Sequence, residues 1–379
     1  MNVSIIGVGL HPFGRFDISG REMGLIAARA AMDDAGIEWS DVQFAVGGSR
    51  DSGHADALVS ELGLTGVPFV TVYNGCGTGG SALLTAAQAI ESGAADVALA
   101  VGFDKHERGA FGSDPALYGL PEWYAEAGLM VTTQFFSLKL QRYLYEHDLD
   151  PRLLAELAAK ALRNGARTPH AWRRTALSVD EIANAEMVND PLTKYMFCSP
   201  SEGGAAIVLA STERAKQLSE RAVKLSAVEF RTRKFGTFEV FSPWLAEEIT
   251  EGATTHAARA AFESAGIGPD DIDVAQIQDT EAGAELMHLA ESGFCEHGEQ
   301  AKLILDGELE IGGRIPVNTD GGLIANGEPI GASGLRQVIE CVWQLQGRAG
   351  DRQVPDNPTT AFTQVYGAPG LSACTVLSR

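Results

Sequence analysis

The sequence predicts an α/β fold of two αβαβα halves related by a pseudo-two-fold axis, with a cap inserted into the first half. Three observations lead there. Residues 27–45 (AARAAMDDAGIEWSDVQFA) recur as residues 257–275 (AARAAFESAGIGPDDIDVA) at a constant offset of 230, with ten of nineteen positions identical. Two copies so far apart mean a duplicated domain rather than a solenoid array. Around both copies, strand-like and helix-like patterns alternate in the same order, which implies parallel pairing and a sheet covered on both faces. The stretch 104–197 has no counterpart in the second half and reads as an insertion over the site. The expected units are 1–103 with 198–220, the cap 104–197, and 221–379.

The elements follow in order. Strands Val3–Val8 and Val223–Val228 open the two halves. A helix follows each and ends in Ala-Gly, at Ala35-Gly36 and Ala265-Gly266, where glycine suits the left-handed position that closes a helix. Short acidic turns (Trp39-Ser40-Asp41 and Pro269-Asp270-Asp271) lead to second strands, Val42–Gly47 and Val274–Gln278. Small residues then open a helix in each half, at Cys76–Ser81 and Glu328–Ser333, and apolar strands Asp96–Gly102 and Thr360–Gly367 close the halves. In the cap, Gln134–His147 and Pro151–Asn164 read as helices, and Cys198–Ala210 returns to the first half as a strand.

Composition narrows the function classes. A formal charge of −21 repels phosphate backbones and anionic lipid, which argues against nucleic-acid and membrane partners. No apolar run reaches the ~18–20 residues of a membrane span. The opening MNVSIIGVG reads directly as a strand without a basic leader, so a cytoplasmic protein is expected. The five cysteines form no CxxC pair, which indicates neither a disulfide framework nor a zinc site, and no metal is expected. The charge run Asp104-Lys105-His106-Glu107-Arg108 reads as a solvated turn.

Two residues stand out for chemistry. Cys76 lies in Asn74-Gly75-Cys76-Gly77-Thr78-Gly79-Gly80-Ser81, between an extended run and an apolar helix. A thiol at a helix N-terminus sees the positive end of the dipole, which favours thiolate, and the flanking glycines let a substrate approach the backbone. Laying Thr78–Leu83 on Ile330–Leu335 puts Glu328 opposite Cys76 across the pseudo-symmetry. A thiol and a carboxylate would then face each other from two helix N-termini.

Val72–Leu83, the stretch Gly321–Gly334 (GGLIANGEPIGASG), Cys341–Gly350 (CVWQLQGRAG) and Gly7–Phe16 (GVGLHPFGRF) resemble the thiolase superfamily. The resemblance is to the sterol-carrier-protein-x type thiolases and the bacterial lipid-transfer thiolase-like proteins, and it spans nearly the whole chain. It implies a thiolase-like fold, a nucleophilic Cys76 and acyl-CoA chemistry, with coenzyme A as substrate and no resident cofactor. The departures bear on mechanism. The family's Gly-His-Pro histidine is Glu328 here, in Gly327-Glu328-Pro329. Gln278 stands where a second histidine or asparagine is found, and Gln364 or Tyr366 occupies the neighbourhood of the last cysteine or histidine.

The resemblance implies acyl transfer through Cys76; in place of the family's histidine, a buried Glu328 would accept the thiol proton, with Gln278 and Tyr366 lining the cleft. Backbone amides at Cys76 and near Gly370 would hold the oxyanion, and Tyr366 or Glu281 would handle the α-carbon proton. Two other readings stay open: retro-aldol cleavage of a β-hydroxyacyl-CoA without a thiolate, and a non-catalytic acyl-CoA or lipid-binding partner subunit. A homodimer paired through Val67–Asn74 and a small zinc-ribbon/OB-fold partner are also implied.

Overall fold

A computed structural model describes residues 1–239 and 251–379. Its strands are β1 (Val3–Gly14), β2 (Phe44–Gly48), β3 (Phe69–Thr71), β4 (Val97–Lys105), β5 (Met187–Asn189), β6 (Leu192–Thr193), β7 (Glu202–Ser211), β8 (Val223–Thr232), β9 (Val274–Ile277), β10 (Thr360–Gly367) and β11 (Leu371–Ser378). Nine of them form one sheet in the order β3-β2-β4-β7-β1-β8-β11-β10-β9, while β5 and β6 pair separately within the cap segment.

The duplication is visible in this order. In the first half β1 pairs antiparallel with β7, β7 antiparallel with β4, and β4 parallel with β2. In the second half β8 pairs antiparallel with β11, β11 antiparallel with β10, and β10 parallel with β9. The halves join where β1 meets β8, with Val3 opposite Leu225 and Ile5 opposite Val223. The expectation of parallel pairing thus holds only toward the sheet's edges. The antiparallel strands are β7, which returns from the cap, and β11, which the sequence reading did not separate from the strand before it. The turn Ala368-Pro369-Gly370 folds β11 back as a hairpin, with the Gly370 amide donating to the Gly367 carbonyl at 2.9 Å.

The repeated Ala-Gly behaves as its chemistry dictates. Gly36 (φ 67°) and Gly266 (φ 74°) close the helices Gly20–Ala35 and Ala253–Ala265 in the left-handed conformation. The other repeated helices, Thr78–Glu91 and Ile330–Leu345, lie side by side in the core, and in the second every residue but Trp343 is buried. They approach closely because their contact is made of glycine: a Cβ on Gly79 would fall 2.7 Å from the Leu335 amide nitrogen. Leu83, Ala86 and Ile90 of the first helix share a cluster with Leu335, Val338 and Ile339 of the second.

Two expectations change. The cap is more than a lid, since Leu154, Leu157 and Ala158 of helix Arg152–Ala166 share a core cluster with Leu286, Ile315 and Ile324 of the second half. The charge run at 104–108 is not simply a solvated turn, because Asp104 and His106 are buried. The Asp104 carboxylate accepts from the amides of Arg50, Asp51 and Gly331 and from the Ser49 hydroxyl. His106 accepts the Ile330 amide on Nε2 at 3.1 Å, while its Nδ1 lies 2.6 Å from the Asp51 carboxylate. Both side chains thereby cap the N-terminus of helix Ile330–Leu345, two residues beyond Glu328. A buried carboxylate is tolerable when backbone amides satisfy it in this way.

Candidate active site

A cavity of about 450 Å³ opens where the first half, the second half and the cap meet. Cys76, Cys198, Gln278 and Tyr366 line it, together with aromatic side chains from the cap such as Phe111, Tyr118 and Phe136. The size and apolar lining are those of a small-molecule site.

Cys76 is held by a tight local frame. Gly75 takes a positive φ of 55°, which the turn requires. The Thr78 hydroxyl donates to the Gly75 carbonyl at 2.6 Å and accepts the Asn74 amide at 3.0 Å. The Asn74 side chain reaches Ser81 at 2.7 Å. The helix itself begins at Thr78, two residues past the thiol. Cys76 keeps part of its surface open to the cavity while protein crowds it elsewhere. Burial is the largest influence on it and pushes the thiol well above its usual range; the charge of Glu328 pushes the same way, and Arg50 opposes both. The helix N-terminus, expected to favour thiolate, is therefore outweighed by desolvation.

Glu328 is fully buried. Its backbone is pinned to the segment after Cys198: the Glu328 amide donates to the Ser199 carbonyl at 2.9 Å, and the Ser201 amide to the Glu328 carbonyl at 3.4 Å. Ser333 Oγ donates to Glu328 Oε1 at 2.5 Å, and Oε2 has no hydrogen-bond partner. Burial raises the carboxyl to about 7, against the lowering influence of the Ser333 hydroxyl, Arg336 and the Gln278 amide. Such a group is half ionised at neutral pH. The charge of Glu328 reaches Cys76, which places the two groups near one another.

The other expected residues divide. The Gln278 side-chain oxygen accepts the Tyr366 amide, and its Nε2 is buried without a full hydrogen bond, as is Glu328 Oε2. Gln278 lowers the Glu328 pKa, which puts these two unfilled groups side by side. The Tyr366 hydroxyl donates to Glu239 Oε2 at 2.7 Å, and Lys139 Nζ lies 3.5 Å from the same oxygen. Gln364 turns away, its Nε2 donating to Thr254 at 3.1 Å, and is not among the lining residues. Gly370 does not line the cavity either, and its amide is already donated to Gly367, so an oxyanion role for that amide has no geometry behind it. Glu281 is buried behind the lining. Thr280 donates to its Oε2 at 2.8 Å, Oε1 is unfilled, and burial raises its pKa.

Sequence reasoning missed Cys198, Glu239, Lys139 and the Asp104–His106 cap. Only Cys198 carried a local signal, a thiol at the entry to a long apolar strand. The others are joined to the site by tertiary contacts alone.

Known proteins can be compared with this geometry. A family model described as the N-terminal domain of thiolase matches residues 3–213, and one described as thiolase C-terminal domain-like matches residues 244–379. The chain is 32% identical to an acetyl-CoA acetyltransferase of Methanothermobacter thermautotrophicus over the full length of both. It is 33% identical to sterol carrier protein 2 of Oryctolagus cuniculus, covering 99% of this chain and 71% of that protein. It is 29% identical to the benzoylsuccinyl-CoA thiolase subunit BbsB of Thauera aromatica, covering 96% and 94%. Among solved structures, an Ltp2–ChsH2(DUF35) aldolase superposes with a TM-score of 0.89 at 25% identity, covering 100% of this chain and 97% of that one. Human mitochondrial 3-ketoacyl-CoA thiolase shares the fold, with a TM-score of 0.74 at 16% identity over 99% and 98% of the chains.

Proposed function

The chain belongs to the thiolase family, and on that premise we propose that it makes or breaks a carbon–carbon bond in a CoA thioester by acyl transfer through Cys76. In the degradative direction the Cys76 sulfur attacks the β-keto carbon, the bond to the α-carbon breaks, and CoA thiol releases the acyl group. The observation that carries this reading is the pairing of a cavity-lining thiol with a buried carboxyl raised to about 7. Glu328 takes the position of a general base because its operating range straddles neutral pH. A thiol this reluctant to ionise reacts only as its proton leaves for Glu328, which couples deprotonation to attack on the carbonyl. The amide of Cys76 is left as the backbone donor for the oxyanion.

The test is the mass of the protein after incubation with a β-ketoacyl-CoA. An acyl adduct on Cys76, absent from Cys76→Ala, is expected. A turnover-competent enzyme that never carries an adduct, and that tolerates Cys76→Ala, would sink the reading.

One observation favours a second reading, retro-aldol cleavage of a β-hydroxyacyl-CoA. Tyr366 lines the cavity with its hydroxyl donated to Glu239, a relay able to take a substrate hydroxyl proton through the phenol. A structural relative is itself an aldolase. Tyr366→Phe would abolish that reaction and leave thiolysis largely intact, whereas Cys76→Ala would do the reverse.

The assembly proposed is a cytoplasmic homodimer using acyl-CoA and CoA and needing no resident cofactor. A small zinc-ribbon/OB-fold subunit is proposed to complete the CoA site, in line with the DUF35 component named in that aldolase complex. Full activity from the purified chain alone would reject the partner.

A further inference from the structure

Cleavage leaves an electron pair on the α-carbon, and something must protonate it. The groups expected to do so are badly placed. Among the described residues that line the cavity there is no carboxyl or imidazole group. Glu281 is buried behind them, Gln364 is turned away, and the Tyr366 hydroxyl is engaged by Glu239.

A second thiol does line the cavity, that of Cys198. Its segment is tied on both sides to the groups that matter. The Cys198 amide donates to the Thr280 carbonyl at 2.9 Å, and Phe197 bridges Glu281, which fixes it against the loop that follows Gln278. The next residues strap Glu328: Ser199 accepts its amide at 2.9 Å, and Pro200 forms a bridge with it. Beside this segment, Gln278 Nε2 and Glu328 Oε2 are buried polar atoms without a full hydrogen bond. The Cys198 thiol and the Gln278 side chain thus line the same cavity as Cys76, with the unfilled Glu328 carboxylate oxygen buried behind them.

We propose that Cys198 is the catalytic acid that protonates the α-carbon, completing a relay from Cys76 through Glu328 and Cys198 to the substrate. The inference rests on the acyl-transfer reading of Cys76. The proton balance closes without a further reactant. Glu328 takes the Cys76 proton as the thiolate attacks the β-keto carbon. The bond between the α- and β-carbons breaks, its electron pair passes to the α-carbon as an enolate, and the Cys198 S–H proton goes to that carbon. The Cys198 thiolate then recovers a proton from neutral Glu328. That last transfer runs downhill, since burial and the Glu328 charge hold the Cys198 thiol well above its usual range while Glu328 sits near 7. The net change is Cys76–SH plus β-ketoacyl-CoA giving acyl–Cys76 plus the shortened CoA thioester. In the second half-reaction CoA–SH gives its proton to Glu328, which returns it to Cys76, and Cys198 takes no part.

That division sets the test. Exchange of labelled CoA into an acyl-CoA needs Cys76 and Glu328 but no proton at carbon. Exchange of α-protons of acetyl-CoA with D2O needs Cys198. Cys198→Ala and the near-isosteric Cys198→Ser should lose α-proton exchange and net cleavage by about 10²-fold or more, the usual worth of a general acid. CoA exchange in the same variants should fall only a few-fold. Melting temperatures identify a variant that has failed to fold, in which case the serine variant decides. Equal loss of both exchanges in a folded variant, or retained α-proton exchange, overturns the assignment. A wild-type protein that shows no CoA exchange overturns the acyl-transfer reading itself, and the Cys198 assignment with it.

Discussion

Glu328 is where residue chemistry and stability meet. Its carboxyl is raised from 4.5 to about 7 by burial. As the base for Cys76 it must be ionised, so kcat/KM should rise with pH through an acid limb near 7. Glu328→Gln should lower thiolytic turnover by about 10²–10⁴-fold and erase that limb. The same shift has a stability consequence with a definite sign. A folded-state pKa above the unfolded one gives a contribution that is complete below about pH 4.5 and is lost as pH rises through about 7. The loss amounts to at most about 3 kcal/mol. Glutamine carries no charge to bury, so the melting temperature of Glu328→Gln relative to wild type should climb between pH 5 and pH 8.5. A difference that stays flat across that range would mean that Glu328 keeps an ordinary carboxylate pKa, and its match to a reluctant thiol near neutral pH would be lost. Any pH-independent effect of the amide drops out of the comparison. Cys76 and Glu328 were legible in the sequence because each sits beside small residues at the head of a repeated helix. Cys198, Glu239 and Lys139 were not, because tertiary contacts alone give them their neighbours.

At the scale of elements, what aims Glu328 is the start of helix Ile330–Leu345. The repeat located that helix, and the glycine contact at Gly79 and Gly334 was latent in the two aligned motifs. The cap on the helix was not legible, since its donors and acceptors come from residues 49–51, 104–106 and 330–331. A run of charges in sequence gives no sign that backbone amides will surround its first member. The parallel-pairing expectation erred for a related reason: alternation of strand and helix is local, whereas β7 and β11 reach their places through the cap and a hairpin. Two variants probe this layer. Asp104→Ala strands several buried amides, each worth about 1–3 kcal/mol when unsatisfied. It should lower stability by at least about 3 kcal/mol in a denaturant titration and loosen the head of the helix that carries Glu328. Gly79→Val drives a side chain into the Leu335 backbone. Overpacking of that kind costs about 1–3 kcal/mol, and because it separates the two helices that present Cys76 and Glu328, acyl–Cys76 formation should fall by more than the loss of folded protein explains. Unchanged acylation per folded molecule would show that the helix contact does not set the site.

Across the whole molecule the two halves differ most at the ends of the sheet. At the second half's end, β9 is followed outward by a bridge between Ala275 and Val317 and by the Asn318 side chain, which bonds the Ile277 backbone on both its amide and its carbonyl. That edge is covered. At the other end β3 is three residues long, with Val70 39% exposed and Tyr73 52% exposed just beyond it. The strand leads into Asn74, Gly75 and Cys76, so whatever covers this edge also steadies the turn that holds Cys76. An open apolar edge is a liability that proteins remove by pairing or by charge, and no charged side chain lies between Val67 and Tyr73. The expected occupant is β3 of a second copy, which would continue the sheet across a two-fold axis and support both Cys76 loops at once. Sedimentation at micromolar concentration should then give about twice the mass of the chain. Val70→Lys, a charge placed on the exposed edge, should shift the protein toward monomer and slow acylation of Cys76 in proportion to the dimer lost. A wild-type monomer with full activity would remove the edge from any role. A Val70→Lys dimer that acylates normally would place the interface elsewhere.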